Sequence, residues 1–219
     1  MAKVFVIGAT GGVGRRLCPM LVSAGHQVTG MCRSPEQVEE LINRGVEPIE
    51  ADLMDLTADQ LTAMTVGQEV LVFSAGAAGS GLNRTAEIDG EGPLKLIEAA
   101  RQNGIRRLYL VSAMPEAGRG QEPSEGFEFY MRTKKQADAA LAASGLDWVI
   151  LRPGTLLHED CDDGVCLSQA LVYGNVKRGN VAAVLAELIN TPTIRREILE
   201  LTDGSQPVRQ AVEAVAHYR

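Results

Sequence analysis

The 219-residue sequence predicts a doubly wound α/β fold, in which helices cover both faces of a parallel sheet. Short apolar runs that suit strands alternate along the chain with longer amphipathic patterns that suit helices. The runs are apolar on both faces, which is typical of strands in a covered parallel sheet. The first run also leads through a glycine-rich turn into a helical pattern. A chain of this length is expected to fold as one domain, residues 1–219.

The glycine-rich turn, with the sequence GATGGVG, occupies residues 8–14, directly after the first predicted strand at residues 4–7. Its G-x-x-G-x-x-G spacing is a variant of the dinucleotide-binding fingerprint of Rossmann-type domains. One glycine permits the tight turn, one lets the backbone approach a pyrophosphate, and one lets helix and strand pack closely. Phosphates are expected at the start of the helix, where backbone amides lack helical partners. The predicted phosphate-binding residues are Gly8, Thr10, Gly11, Gly12, Val13 and Gly14.

The later strands are predicted at residues 27–31, 46–49, 69–73, 107–111, 148–151 and 197–201. Two segments lack a regular period. Residues 113–127 are rich in Gly, Pro, Glu and Ser, a composition that predicts a mobile loop. Residues 155–178 have no clear pattern, and we expect them to form a small excursion on the substrate side of the domain.

Helices are predicted between these strands. One begins at Pro35, because the fixed φ of proline suits a first helical turn, and its inner face carries Val38, Leu41 and Ile42. A longer helix ends at Gly104, and its inner face carries Leu94, Ile97 and Ala100. The remaining helices are predicted at residues 128–143, 181–189 and 207–216.

Charge and composition exclude several classes of partner. The net charge of −7 disfavours nucleic acid and membrane surfaces, because both require a positive binding face. No apolar run approaches the roughly 20 residues that span a bilayer, and Met1–Lys3 leave no room for a signal peptide before the first strand. Four cysteines without metal-ligand spacing suit a reducing compartment. We therefore expect a cytoplasmic monomer or homodimer that binds a small-molecule substrate.

Arg33 indicates which dinucleotide is bound. It follows the second predicted strand, 19 residues after Gly14, where a protein that prefers NAD usually presents an acid to the ribose hydroxyls. Arg33 and Ser34 offer a guanidinium and a hydroxyl, which suit the 2′-phosphate of NADP. The sequence therefore favours NADP over NAD, although an arginine exposed on a loop is the alternative.

Two other turns at strand ends are predicted to contact the cofactor. Asp52 and Leu53 follow the third strand, where a carboxylate can hydrogen-bond the adenine amine, although a solvated acid is nearly as plausible. Small residues follow the fourth strand and would let the nicotinamide ribose lie close to the backbone. These residues are Ser74, Ala75 and Gly76, and a flexible loop is the alternative.

Tyr130 and Lys134 are the candidate catalytic pair. Their i, i+4 spacing places them on one face of a helix. A free phenol has a pKa of about 10, and a nearby ammonium would lower it and make Tyr130 a better acid–base group. Lys134 can also hold the ribose hydroxyls of the cofactor. Ser112, at the end of the fifth strand, can hydrogen-bond either a substrate carbonyl or Tyr130 itself. The alternative is a tyrosine at the edge of the core beside a solvated lysine.

These motifs carry a family resemblance along almost the whole chain. With the glycine turn, the Tyr130/Lys134 pair and the stretch SGLDWVILRPG at residues 144–154, the chain resembles atypical short-chain dehydrogenases/reductases, close to NmrA-like and biliverdin-reductase-B-like NAD(P)-binding proteins. The resemblance implies that Pro153, Gly154 and Thr155 pass beside the nicotinamide. The chain departs from the pattern at Asn180, where relatives usually have Asp, and at Ser112-Ala113, where they often have two serines.

A metal site is not predicted. Residues 158–163, with the sequence HEDCDD, contain every common type of metal ligand, but adjacent loop residues rarely converge on one ion. Cys161 and Cys166 can form a regulatory disulfide, but neighbouring acids raise thiol pKa values, so two inert thiols are favoured.

The leading functional hypothesis is an NADP-dependent oxidoreductase that acts on a small carbonyl or a reducible ring. Tyr130 would move the proton, Lys134 would tune it and Ser112 would orient the substrate oxygen. The alternative is a regulator or interaction protein that senses NAD(P) without turnover. Sugar-nucleotide epimerisation ranks last, because it needs a larger C-terminal lobe than this chain supplies.

Overall fold

The computed structural model describes residues 1–77, 79–118 and 122–217, and its main feature is a nine-stranded sheet. The first six strands alternate with helices along the chain. They are β1 (Lys3–Ile7), β2 (Gln27–Cys32), β3 (Glu47–Glu50), β4 (Val70–Phe73), β5 (Arg107–Val111) and β6 (Asp147–Pro153). The last five strands lie in the C-terminal part. They are β7 (Thr155–Leu157), β8 (Gly164–Ser168), β9 (Asn175–Lys177), β10 (Glu197–Asp203) and β11 (Gln206–Pro207).

The helices fall between these strands. They are α1 (Gly14–Ser23), α2 (Pro35–Asn43), α3 (Ala58–Met64), α4 (Leu82–Arg84), α5 (Gly92–Gln102), α6 (Glu125–Ala142), α7 (Arg178–Asn190) and α8 (Val208–His217). A π-helical segment, Thr85–Glu91, joins α4 to α5. No helix among the described residues is both long and apolar enough to cross a bilayer.

The strand order confirms the doubly wound prediction. Strands β3, β2, β1, β4, β5, β6 and β10 are parallel neighbours, β8 adds antiparallel to β10, and β11 pairs antiparallel with β8. Strands β7 and β9 form a separate parallel pair. The chain order reverses between β1 and β4, and open α/β sheets bind ligands at such a switch point.

The sheet separates two hydrophobic cores, as strands that are apolar on both faces require. In β1, Val4 and Val6 join the core that α1, α7 and α8 cover, whereas Phe5 and Ile7 join the core that α3, α5 and α6 cover. All four of these side chains are fully buried. Because alternate residues of a strand point to opposite faces, a short apolar run supplies both cores at once.

Several details differ from the sequence predictions. Helix α3 was not predicted, although its start carries a capping box in which Thr57 and Gln60 exchange side-chain and backbone hydrogen bonds. Helix α6 begins at Glu125 and not at residue 128, because the Ser124 hydroxyl caps it by accepting from the Phe127 amide at 3.2 Å. The predicted loop is therefore shorter, and its residues 119–121 lie outside the described residues. Ile42 and Leu94 were expected inside but are 58% and 40% exposed.

The segment at residues 155–178 contains β7, β8 and β9, of which only β8 extends the main sheet. Asn180 supports this region from the first turn of α7. Its fully buried amide donates to Asp162 Oδ1 and to Asp203 Oδ1, both at 2.8 Å. An aspartate here would face two carboxylates without a proton to share, which accounts for the amide at this position.

The packing of Gly14 predicts a large effect of a single methyl group. A β-carbon at Gly14 would collide with the Gly8 carbonyl oxygen and lie 2.8 Å from Ala9 Cα, and these backbone atoms cannot move aside. We expect Gly14→Ala to lower the free energy of unfolding by about 1–3 kcal/mol or more, measured by urea denaturation.

Gly126→Ala is the matched control, because the nearest atoms to a β-carbon there are 4.0 Å away and the residue lies within α6. This variant should leave the free energy of unfolding unchanged or raise it by about 0.5–1 kcal/mol. Equal denaturation midpoints for the two variants would contradict the close packing at Gly14.

Candidate functional site

A cleft of about 1250 Å³ opens at the carboxyl ends of β1, β2, β4 and β5. It brings together residues that are far apart in sequence: Gly8, Thr10, Gly11, Gly12, Val13, Arg33, Asp52, Leu53, Ser74, Ala75, Gly76, Asp89, Ser112, Phe127, Tyr130, Lys134, Leu156 and Arg178. Most of the residues predicted to contact a cofactor or substrate thus line one continuous space at the switch point of the sheet.

The glycine turn shapes one wall of this cleft. Gly8 has a φ of +87°, and a β-carbon there would lie 2.6 Å from the Ala75 nitrogen. The lack of a side chain therefore lets the loop after β4 approach the end of β1. A β-carbon at Gly11 would lie 3.2 Å from the Gly8 carbonyl oxygen, and the Gly11 amide donates to the same oxygen at 3.0 Å. Helix α1 starts at this turn without a side-chain cap or an acid in its first turn, which leaves its positive end suited to an anion.

Arg33 and Gln37 lie at the β2 end of the cleft. Arg33 is exposed, and its amide donates to Gln37 Oε1 at 2.8 Å. Asp52 lies nearby in the lining, with one carboxylate oxygen accepting from the Met54 amide at 3.0 Å. Ser34, which was predicted to contact the cofactor, is not among the lining residues, and its side chain lowers the pKa of the Glu36 carboxyl by hydrogen bonding.

The loop after β4 is anchored. The Ser74 amide donates to the Ile7 carbonyl at 2.9 Å, and its hydroxyl donates to the same oxygen at 3.2 Å. The Ala77 amide donates to Asp89 Oδ2 at 2.9 Å. Asp89 is 1% exposed and lies in the π-helical segment, a local geometry that is common at functional sites.

Lys134 is held by the interior of the protein and is not solvated. The side chain is 4% exposed, and its Nζ donates to the Val111 carbonyl at 2.8 Å and lies 3.6 Å from Asp89 Oδ1. Burial lowers the pKa of Lys134, and the charges of Asp89 and Asp138 oppose that shift. The ammonium is thus shared between a carbonyl and a carboxylate.

The environment of Tyr130 corrects the prediction that Lys134 lowers its pKa. Tyr130 is half-buried, and burial, together with the negative charges of Asp89 and Asp138, raises the pKa of its phenol to about 12. Burial is the largest cause of this shift, and the two acids add to it: Asp89 from the π-helical segment and Asp138 from two turns further along α6. At neutral pH the phenol is protonated and acts as a hydrogen-bond donor.

Two buried polar atoms at this end of the cleft make no close hydrogen bond among the described residues. Ser112 Oγ faces the Asp138 carboxyl and lowers its pKa, Asp89 Oδ1 lies 3.6 Å from Lys134 Nζ, and both residues line the cleft and are at most 5% exposed. Buried polar atoms usually have partners, and each unmatched atom carries a desolvation cost. A polar ligand in the cleft would supply those partners, so the lining fits a nicotinamide dinucleotide both here and at the glycine turn.

The structure does not bring four other predicted residues into the lining: Gly14, Pro153, Gly154 and Thr155. Gly14 packs beneath the glycine turn. Pro153 pairs with Leu201 of β10, and the Gly154 amide donates to the Leu201 carbonyl at 2.9 Å. The Thr155 hydroxyl is 2.6 Å from that of Tyr173. Leu156, the next residue, does line the cleft.

The excursion at residues 155–178 packs against the start of α1. Arg16 Nε lies 2.7 Å from Asp160 Oδ1, and Arg16 Nη2 donates to the His158 carbonyl at 3.2 Å. Of the excursion's residues, Leu156 and Arg178 line the cleft. The excursion therefore contacts the glycine-turn side of the site, and a role in shaping the substrate remains a prediction.

Sequence reasoning missed the contributions of Asp89, Phe127 and Arg178 to the cleft. No local signal marks Asp89, because its role depends on a contact with Lys134, 45 residues later. The segment that contains Arg178 can be recognised in the sequence as similar to relatives. The direction of the Arg178 side chain cannot be read from the sequence. Among the described residues, no group of three or more His, Cys, Asp or Glu side chains could hold a metal ion.

A family model described as NAD(P)H-binding matches residues 8–192 of the sequence. The chain belongs to this NAD(P)H-binding family. This membership confirms the predicted resemblance at the level of an NAD(P)-binding, Rossmann-type family with an oxidoreductase-like fold.

Similarity to known proteins covers nearly the whole chain. It is 33% identical to the Uncharacterized sugar epimerase YhfK of Bacillus subtilis, over 96% of this chain and 99% of that protein. The structure of a putative NAD-dependent epimerase/dehydratase from Bacillus halodurans is 30% identical, with a TM-score of 0.87 over 98% of this chain and 100% of the other. The anaerobilin reductase ChuY of Escherichia coli is 26% identical, with a TM-score of 0.76 over 92% and 97% of the two chains.

The raised pKa of Tyr130 can be tested directly. At a pH of about 10, where an exposed phenol is half ionised, Tyr130 should remain protonated because its pKa lies near 12. Ultraviolet difference titrations of the wild type and Tyr130→Phe should therefore coincide up to that pH. An ionisation below pH 10 that disappears in Tyr130→Phe would show instead that Lys134 lowers the pKa.

Proposed function

We propose that this member of the NAD(P)H-binding family is an NADP-dependent oxidoreductase that reduces a small carbonyl compound or a reducible ring. The observation that carries the proposal is the convergence of Ser112, Tyr130 and Lys134 in the same cleft as the glycine turn and Arg33. A nicotinamide cofactor, when bound, supplies hydride transfer, and the protein supplies binding, orientation and a proton.

The cofactor would lie across the carboxyl ends of the strands. The glycine turn and the start of α1 suit the pyrophosphate. Arg33 suits the 2′-phosphate, because it is exposed in the lining and forms no ion pair with an acid within the described part of the chain. Ser74–Gly76 form the backbone edge nearest to β4, and the Val111 carbonyl and Asp89 fix Lys134 beside it.

The protonation state of Tyr130 favours reduction of the substrate over its oxidation. With a pKa of about 12, roughly one phenol in 10⁵ is ionised at pH 7, so the side chain is a poor base but a stable donor. The oxygen of a carbonyl under reduction becomes more basic than a phenolate and can take the phenolic proton. Ser112 Oγ, which makes no close hydrogen bond among the described residues, suits the same substrate oxygen.

The cofactor preference makes one prediction. NADP should stabilise the protein against heat more than NAD does at equal concentration, because a ligand that binds only the folded state raises stability. Arg33→Gln should reduce the ratio of NADP to NAD affinity by about tenfold or more, since it removes a charge-assisted hydrogen bond.

Arg209→Gln is the control for this experiment, because Arg209 is an exposed arginine on α8 that pairs with Glu213. It should keep the wild-type ratio. Equal thermal shifts for NADP and NAD in the wild type would overturn the role proposed for Arg33.

The catalytic role of Tyr130 makes a second prediction. Tyr130→Phe should lower kcat for NADPH oxidation by about 10²–10⁴-fold, the usual contribution of a positioned proton donor. The affinity for NADPH should change little. Absorbance of NADPH can be followed across quinones, aldehydes and flavins, with Glu128→Gln, an exposed neighbour on α6, as the control. Unchanged kcat in Tyr130→Phe would remove Tyr130 from the mechanism.

The structure also gives some support to a regulator that binds NAD(P) without turnover. The Lys134 ammonium is engaged by Val111 and Asp89, and the pKa of Tyr130 is raised, so the pair lacks the tuning that acid–base work in both directions requires. Saturable NADPH binding with no oxidation by any compound of the panel would favour this function. Epimerisation is a third candidate, which the names of two relatives suggest.

A further inference from the structure

We infer that Arg178 is an anion-binding residue that clamps the pyrophosphate of the dinucleotide against the glycine turn. The inference rests on the cofactor binding of the proposed function and is independent of turnover. It adds to the cofactor site a residue from the far end of the chain, more than 160 positions after Gly12.

The Arg178 side chain passes directly over the glycine turn. Arg178 follows β9 as the first residue of α7, and it lines the cleft. A β-carbon at Gly12 would lie 2.5 Å from Arg178 Cδ and 2.7 Å from its Nε. Gly12 therefore gives room to the arginine as well as to a ligand, and the guanidinium sits at the part of the turn where the backbone meets a pyrophosphate.

This guanidinium is poorly compensated by the protein. Arg178 Nη1 donates to the Leu156 carbonyl at 3.0 Å, and no salt bridge to a carboxylate is found for it among the described residues. Burial lowers the pKa of Arg178, and the positive charge of Arg16 lowers it further. The start of α7 adds a third unfavourable influence, because a helix N-terminus is itself positive.

Arg16 differs from Arg178 in this respect. Its guanidinium is already paired with Asp160 at 2.7 Å and donates to the Gly12 carbonyl at 2.7 Å. Arg16 thus supports the turn, whereas Arg178 keeps donors that no carboxylate occupies. A half-buried cation beside another cation is stabilised most by an anion, and the planar fork of arginine matches phosphate oxygens.

The position of Arg178 suits the pyrophosphate of the dinucleotide and not its 2′-phosphate. Arg178 contacts the glycine turn between β1 and α1, whereas Arg33 follows β2, the next strand of the sheet. The two arginines would therefore serve two different phosphate groups. Arg178 should affect NADP and NAD equally, and Arg33 should distinguish them.

The test measures binding by titration calorimetry with two fragments, ADP and adenosine 2′-phosphate. Arg178→Gln removes the charge and keeps a polar side chain. We expect it to weaken ADP, NADPH and NADH by about 10- to 100-fold each and to leave adenosine 2′-phosphate within about twofold. Arg33→Gln should show the reverse pattern for the two fragments, and Arg209→Gln should change neither.

ADP binding to Arg178→Gln within twofold of the wild type would overturn the inference. Equal losses for ADP and adenosine 2′-phosphate would also overturn it, because they would indicate general damage to the fold. Raising the salt concentration should weaken ADP binding to the wild type more than to Arg178→Gln, since the variant has lost the screened charge. Absence of NADPH oxidation, with this pattern intact, would count against the proposed reaction and not against Arg178.

Discussion

The close approach of three backbone segments is the constraint on which the rest of the structure depends. The end of β1, the start of α1 and the loop after β4 meet where Gly8 and Gly14 leave no space for a β-carbon. This contact fixes the switch point between β1 and β4 and therefore the position of the cleft. It also leaves the positive end of α1 facing that cleft, so the same local geometry that closes the fold creates a place for a phosphate.

Buried charges set the environment of Tyr130 and Lys134 at the end of the cleft near β5. Asp89 binds the loop after β4 through one oxygen and faces Lys134 with the other. Breaking such a pair by removing one partner leaves an uncompensated buried charge, which typically costs about 3–5 kcal/mol. Asp89 thus links the loop after β4 to Lys134 of the candidate catalytic pair. Because Asp89 also raises the pKa of Tyr130, one carboxylate acts on both the loop and that pair.

Relatives with epimerase and reductase names share this fold over nearly the whole chain. In this chain, the glycine turn and the loop after β4 form the backbone part of the cleft, whereas the end near β5 is formed by a few side chains. Phe127 and Tyr130 lie on α6, and Ser112 directly follows β5. Family membership therefore indicates the class of cofactor, and the Tyr130 phenol and the Ser112 hydroxyl are the groups on which the proposed reaction depends.

The sequence by itself determined the parallel sheet, the glycine turn and the placement of Tyr130 beside Lys134, because strand alternation, turn glycines and helical spacing are local properties. Only the tertiary structure placed Asp89 against Lys134 and Arg178 over Gly12, and it moved Pro153 and Thr155 out of the lining. The pKa of Tyr130 shows why. Its direction depends on burial and on Asp89, 41 residues earlier in the chain, and no local pattern encodes either one.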